Sequence, residues 1–77
     1  MPNEHFLDAS GLTCPMPLLK AKQKLNQISA GERLRLIATD PGSVRDIASF
    51  IKLTPHELLE SYEENGTFHY LIRKGDT

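Results

Sequence analysis

The residues best equipped for chemistry occupy four consecutive positions, Cys14-Pro15-Met16-Pro17. Cys14 is the only cysteine in the chain, and a cysteine thiolate is a strong nucleophile near neutral pH. Proline lacks a backbone donor and clashes with the preceding turn inside a helix, but the first few N–H groups of a helix have no intrahelical partner. Pro15 and Pro17 therefore fit at a helix start and almost nowhere else in a helix. Leu18, Ala21, Leu25 and Ile28 then recur at three- and four-residue steps, with Lys20, Lys22, Gln23, Lys24 and Asn26 between them. This is the pattern of an amphipathic helix, expected to end near Ser29 with Gly31 as its stop. In this frame Cys14 is the N-cap. Free N–H groups and the positive end of the helix dipole there favour the thiolate, so the expectation is a thiol more acidic than a free cysteine. The competing reading is a buried, inert cysteine, since free cysteines are among the most buried residue types. The position of Cys14 off the apolar stripe, between Thr13 and Pro15, favours the reactive one.

The elements that must position this thiol can be read in chain order. Residues Met1 to Glu4 are polar and expected to be loose. His5 to Ala9 alternates, with Leu7 and Ala9 on one side and Phe6 and Asp8 on the other, as a short strand does. Ser10 to Thr13 forms a loop in which Gly11 supplies a tight turn. Leu34 to Thr39 is a second strand, with Leu34, Leu36 and Ala38 opposite Arg33, Arg35 and Ile37. The helical crossover is long enough to set it parallel to the first strand, which puts Cys14 at the carboxyl end of that strand. Asp40-Pro41-Gly42 makes a turn, Ser43 and Asp46 have the spacing of a capping box, and Val44, Ile47, Ala48 and Ile51 form the stripe of a short second helix. Thr54-Pro55 ends it. Two strands follow, Glu57 to Glu63 and Phe68 to Arg73, joined through the hairpin signal Asn65-Gly66. The expected fold is α/β, a two-layer α+β sandwich in βαβαββ order, with a mixed four-stranded sheet and both helices on one face.

Seventy-seven residues allow one domain, spanning residues 1–77, near the lower limit for a core without disulfides or a metal. One cysteine excludes an intrachain disulfide and a Cys-rich zinc site. Neither a signal-peptide core nor a membrane-length apolar run is present, so the expected home is the reducing cytoplasm. Nine basic and ten acidic residues leave a formal charge of −1, which argues against general nucleic-acid binding through phosphate contacts. Lys20, Lys22 and Lys24 are grouped on the first helix, and Glu57, Glu60, Glu63 and Glu64 near the last hairpin. Such groups are usually solvated faces and can also orient partners.

Other constellations carry less. Asp40 and Asp46 are read as turn and capping residues rather than catalytic carboxylates. His5, His56 and His69 lie in separate elements without metal-ligand spacing, and no metal site is expected. Phe6, Phe68 and Tyr70 could offer a base-stacking surface but suit core and sheet cover better. Phosphate-loop patterns are absent, and no nucleotide or other cofactor is implied.

The segment Leu7-Asp8-Ala9-Ser10-Gly11-Leu12-Thr13-Cys14-Pro15-Met16-Pro17 resembles the N-terminal signature of the TusA/SirA family of small sulfur carriers, marked by Cys-Pro-x-Pro at the start of the first helix. The resemblance continues through Thr39-Asp40-Pro41-Gly42-Ser43-Val44-Arg45-Asp46-Ile47 and Tyr70-Leu71-Ile72-Arg73-Lys74-Gly75. It implies the same two-layer fold and a sulfurtransferase-like carrier, rather than a stand-alone enzyme, that takes sulfane sulfur on Cys14 as a persulfide. It further implies a cysteine desulfurase or other persulfide donor and a downstream acceptor protein, in tRNA 2-thiouridylation, molybdenum-cofactor maturation or related sulfur trafficking. Met16 departs from the acid that many carriers of the thiouridine pathway have between the two prolines, which leaves the field beside Cys14 less negative. Two rival readings stand beside the carrier: a one-cysteine thiol-redox protein or sensor, and a non-catalytic protein- or RNA-binding module in which Cys14 is incidental.

Overall fold

The computed structural model describes residues 4–75, so the expectation for Met1 to Asn3 lies outside the described residues. Strand β1 (Glu4–Ala9) alternates exposed and inward side chains from its first residue, and β2 (Arg33–Ala38) does the same. The two run parallel, Glu4 opposite Arg33 through to Ala9 opposite Ala38. Parallel neighbours need a crossover, and α1 (Met16–Leu25) supplies it. Strand β4 (Thr67–Arg73) pairs antiparallel with the other side of β2, and β3 (Glu57–Glu64) pairs antiparallel with β4 at the edge. The resulting order is β1-β2-β4-β3, with α2 (Gly42–Lys52) linking β2 to β3. The mixed sheet and βαβαββ order match the sequence expectation. The last hairpin closes through a two-residue turn in which Asn65 and Gly66 have φ of 52° and 80°. That pair of positive angles is the type I′ geometry whose twist matches the flanking strands. Beyond the turn, a register shift between Leu58 and Glu60 leaves Leu59 as an extra residue in β3.

Both helices pack on one sheet face. Ala21 and Leu25 of α1 and Ile47 of α2 join Leu34, Leu36, Ala38, Tyr70 and Ile72 of the sheet in one buried cluster. The opposite face carries no helix and is laced by partly exposed ion pairs, Arg35 to Glu4 at 3.4 Å and to Glu60 at 3.8 Å, and Arg73 to Glu57 at 3.7 Å. Pairs of this kind contribute about 1 kcal/mol or less each. Here too Tyr62 stacks on His69, ring centroids 4.7 Å apart and nearly parallel. The aromatics considered as a stacking surface are divided. Phe6 is exposed on the open face, whereas Tyr70 is buried beneath the helices with Phe68 packed beside that cluster.

Both helices differ from the sequence expectation in detail. The α-helical part of α1 ends at Leu25, and Ile28 reaches the core from the turn that follows. Asn26 still donates to the Lys22 carbonyl, but Gln27 donates to Lys24, a tightened last turn. Gly31 is not a helix stop. Its N–H donates to the Lys74 carbonyl at 2.9 Å, while Lys74 N–H donates to the Glu32 carbonyl at 2.8 Å, tying the end of the chain to the α1–β2 connection. In α2 the inward residues are Ser43, Ile47, Phe50 and Ile51, and the expected stripe members Val44 and Ala48 face outward.

That rotation of the α2 stripe is possible because Ser43 is satisfied in the core. Its Oγ lies 2.8 Å from the Tyr70 hydroxyl, and both side chains are buried. Burial pushes the Tyr70 phenol up, an effect partly offset by this hydrogen bond. Because a buried hydroxyl left alone forfeits its hydration, Ser43→Ala is expected to cost about 1–3 kcal/mol in urea unfolding. Adding Tyr70→Phe should recover most of that loss, since both polar groups are then gone. A double variant no more stable than the single one would show that the pair is not what holds α2 in this orientation.

Candidate functional site

The loop from β1 to α1 carries Cys14 to the end of the molecule where β1 and β2 both finish. Asp8 accepts the Ser10 N–H at 2.9 Å, Gly11 turns with φ of 80° and donates to Thr39 Oγ1 at 2.8 Å, and Leu12 N–H donates to the Ala9 carbonyl. These bonds anchor the loop to the carboxyl ends of two parallel strands. Among the described residues Cys14 is a free, exposed cysteine. The Cys14–Pro15 peptide is cis. The N-cap of α1 is Pro15, with no side-chain cap, so Cys14 precedes the helix by one residue more than expected; Pro17 is in its first turn. Met16 N–H donates to the Thr13 carbonyl at 2.8 Å, and Cys14 is left free to face elsewhere.

It faces α2. The Cys14 thiol donates a hydrogen bond to Asp46 Oδ2, and the Cys14 backbone N–H donates to Asp40 Oδ2 at 3.2 Å. This approach depends on Gly42 having no side chain. A Cβ there would stand 2.8 Å from Asp40 Oδ2, 3.3 Å from Cys14 Cβ and 3.8 Å from Sγ. The capping-box reading of Ser43 and Asp46 is thereby corrected. The N-cap of α2 is Pro41, again with no side-chain cap; Ser43 turns inward to Tyr70, and Asp46 is taken by Cys14.

The expectation of an acidic thiol is corrected as well. The hydrogen bond to Asp46 raises the Cys14 pKa above its ordinary value, with smaller contributions in the same direction from desolvation and from the charges of Asp46 and Asp40. A helix N-terminus offers roughly half a positive charge. Two carboxylates, one of them bonded directly to the thiol, outweigh it. With its pKa raised, the sulfur near neutral pH is a thiol hydrogen-bonded to Asp46. Uncharged Met16 does not make the surroundings neutral, because α2 and the loop before it bring the acids instead.

Cys14 and Asp46 stand at the rim of an open groove of about 680 Å³, walled by Pro41, Gly42, Val44, Arg45 and Ala48. Its walls are largely apolar, with Arg45 as the cationic member. Of the site residues read from the sequence, Cys14, Pro15 and Pro17 lie together, although Pro17 is buried. Sequence reasoning missed Asp46, Gly42 and the outward side of α2. Asp46 is 32 residues from Cys14, and the only signal was that Arg45-Asp46-Ile47 fell within a stretch of family resemblance. The histidines are dispersed. His5 pairs with Glu32, His56 Nδ1 accepts from Gly75 N–H, and His69 stacks on Tyr62. Among the described residues no three His, Cys, Asp or Glu side chains form a metal-ligand cluster, and no helix is long and apolar enough to cross a membrane.

Fold and site define a small thiol-presenting domain, an α+β sandwich that holds a single accessible cysteine at the edge of a groove. The chain matches the family model described as Sulfurtransferase TusA over residues 5–74, and it belongs to that family. It is 60% identical over 68 residues to the sulfur carrier protein TusA of Allochromatium vinosum, covering 88% of this chain and 90% of that protein. The sulfur carrier protein TusA of Pseudomonas putida is 48% identical over 69 residues, 90% of this chain and 86% of that protein. That of Pseudomonas paraeruginosa is 45% identical over 73 residues, 95% and 92% respectively.

Proposed function

We propose that this chain is a sulfur carrier in which Cys14 takes sulfane sulfur from a donor persulfide and passes it to an acceptor protein. The observation that carries the reading is the exposed Cys14 thiol, presented by an anchored loop at the rim of the groove, in a member of the TusA family. The charging reaction is Cys14–SH + R–S–SH → Cys14–S–SH + R–SH. Cys14 sulfur, once deprotonated, attacks the outer sulfur of the donor; the donor S–S bond breaks, and the donor sulfur leaves with the electron pair and takes up a proton. No external oxidant is needed. With one cysteine in the chain, discharge is necessarily to another molecule.

A cysteine desulfurase is the donor that suits this chemistry. The acceptor belongs to a sulfur pathway such as tRNA 2-thiouridylation or molybdenum-cofactor maturation, and the setting is the cytoplasm, where an exposed free thiol stays reduced. The redox-sensor reading is weakened by the carboxylate at Cys14, because sensors rely on thiolate character. The RNA-stacking reading is weakened by the division of Phe6, Phe68 and Tyr70 between the two sheet faces.

Incubation with a cysteine desulfurase, pyridoxal phosphate and cysteine, followed by intact mass spectrometry without reductant, tests the proposal. One sulfur, about 32 Da, is expected at Cys14 and should be released by dithiothreitol. A sulfinic acid adds nearly the same mass but resists the thiol, so the reductant step separates carrier from oxidised sensor. A chain that stays unmodified with several donors would overturn the carrier reading.

A further inference from the structure

We propose that Asp46 is a positioning residue for Cys14: its carboxylate holds the proton on the sulfur of the empty carrier and loses that hold once a second sulfur is attached. The inference rests on the carrier reading above and adds to it how the site registers its cargo. The geometry supplies both halves. Asp46 is half-buried on α2, accepts the Cys14 S–H, and is brought there by the bare face of Gly42, which lets Cys14 settle against the start of α2. Asp40, from the loop before α2, binds the Cys14 backbone rather than its sulfur, so the two acids are not equivalent. Arg45 lies in the same groove, and α1 brings no charged residue before Lys20.

Charging must break the Sγ–H bond to Asp46, because the proton leaves Sγ before the sulfur attacks. Afterwards Sγ carries sulfur in place of hydrogen and has nothing to donate. The Asp46 carboxylate then faces only lone pairs on Sγ and loses that contact, the proton of the Cys14–S–SH group now lying on the added sulfur one bond further out. The added atom stands about 2.0 Å beyond Sγ, at the rim walled by Val44, Arg45 and Ala48. The loss of one hydrogen bond thus changes the α2 side of the groove, a surface open to any protein that approaches Cys14. Until a partner intervenes, the empty carrier keeps a thiol that resists oxidants and alkylating agents, since these react with the thiolate.

The test uses the full chain with Asp46→Asn, Asp46→Ala and Asp40→Asn, each checked for a native thermal transition. Iodoacetamide alkylation of Cys14 is followed across pH, together with charging from a persulfidated donor. Asp46→Asn keeps the size of the side chain and removes its charge. Its alkylation midpoint should move to lower pH, with alkylation near pH 7 faster by about fivefold, the factor a unit charge some 4 Å away in water confers. The rates of wild type and variant should converge at high pH, once the thiol is ionised in both. Asp46→Ala should behave alike, and Asp40→Asn should shift less. The carboxyl ¹³C resonance of Asp46 should move on loading, and equally on S-methylation of Cys14, which also removes the proton. An unchanged midpoint, or a rate change of the same factor at every pH, would overturn the positioning role; an unmoved Asp46 resonance would overturn the release on loading. Failure of the carrier reading is seen separately, as absence of the reducible adduct on wild type.

Discussion

Cys14→Ser is expected to abolish sulfur loading completely while leaving the domain folded. Serine oxygen does not ionise near neutral pH and forms no persulfide, so no adduct should appear under donor conditions that saturate the wild type. The fold should be indifferent. Cys14 is exposed and outside the buried cluster, and a serine hydroxyl can still donate to Asp46. The melting temperature should stay within about 2 °C of wild type, as for surface substitutions that remove no packing. Circular dichroism and intact mass on the same sample check both halves. A reducible adduct surviving on the Ser variant would place the cargo elsewhere, on an amine or in a non-covalent pocket, and would remove Cys14 from the mechanism.

Leu36→Ala is expected to be the most costly truncation on β2, reducing stability by about 2–5 kcal/mol. Leu36 is fully buried, pairs with Leu7 on one side and Tyr70 on the other, and faces the helices. A chain of this length is expected to have roughly 4–12 kcal/mol in total, so the urea midpoint should fall by about a sixth at the least, and by far more if the domain lies at the low end of that range. The neighbouring Ile37 points to the open face, half-buried, and Ile37→Ala should cost clearly less. Equal losses at the two positions would mean that both sheet faces are covered, contrary to the one-sided packing seen here. Because Cys14 is anchored through Gly11 to Thr39, directly after β2, the Leu36 variant should also lose loading activity at the temperature where it begins to unfold, and not before.

The reversed sign of the thiol shift matters for how such a carrier works. A cysteine made acidic by a helix terminus would be reactive at all times. The Asp46 contact makes reactivity conditional on what approaches the groove, where a cationic group near Asp46 would weaken its hold on the proton. The observed site is thus better suited to waiting for a partner than to scavenging sulfur or oxidant from solution.

The sequence by itself determined the strands to within a residue at their ends, the inward faces of the first two, and the element order. A period of two in Glu4–Ala9 and Arg33–Ala38 and the Asn65-Gly66 turn are local signals, each confined to a few residues that tertiary contacts merely reinforced. It also singled out Cys14, since a lone cysteine before two prolines at a helix start is a pattern visible in four letters. Tertiary structure decided the rest. The inward side of α2 turned on whether Ser43 could be satisfied in the core, which depended on the hydroxyl of Tyr70, 27 residues away. The state of the thiol turned on Asp46, whose distance from Cys14 in the chain is set by a strand and a crossover rather than by a helical turn. Local propensity and helix-end effects act over one turn and can be read from neighbours in sequence. The charge that dominates a thiol is whichever lies closest in space, and the folding of β2 and α2 against the Cys14 loop is what brought a carboxylate there.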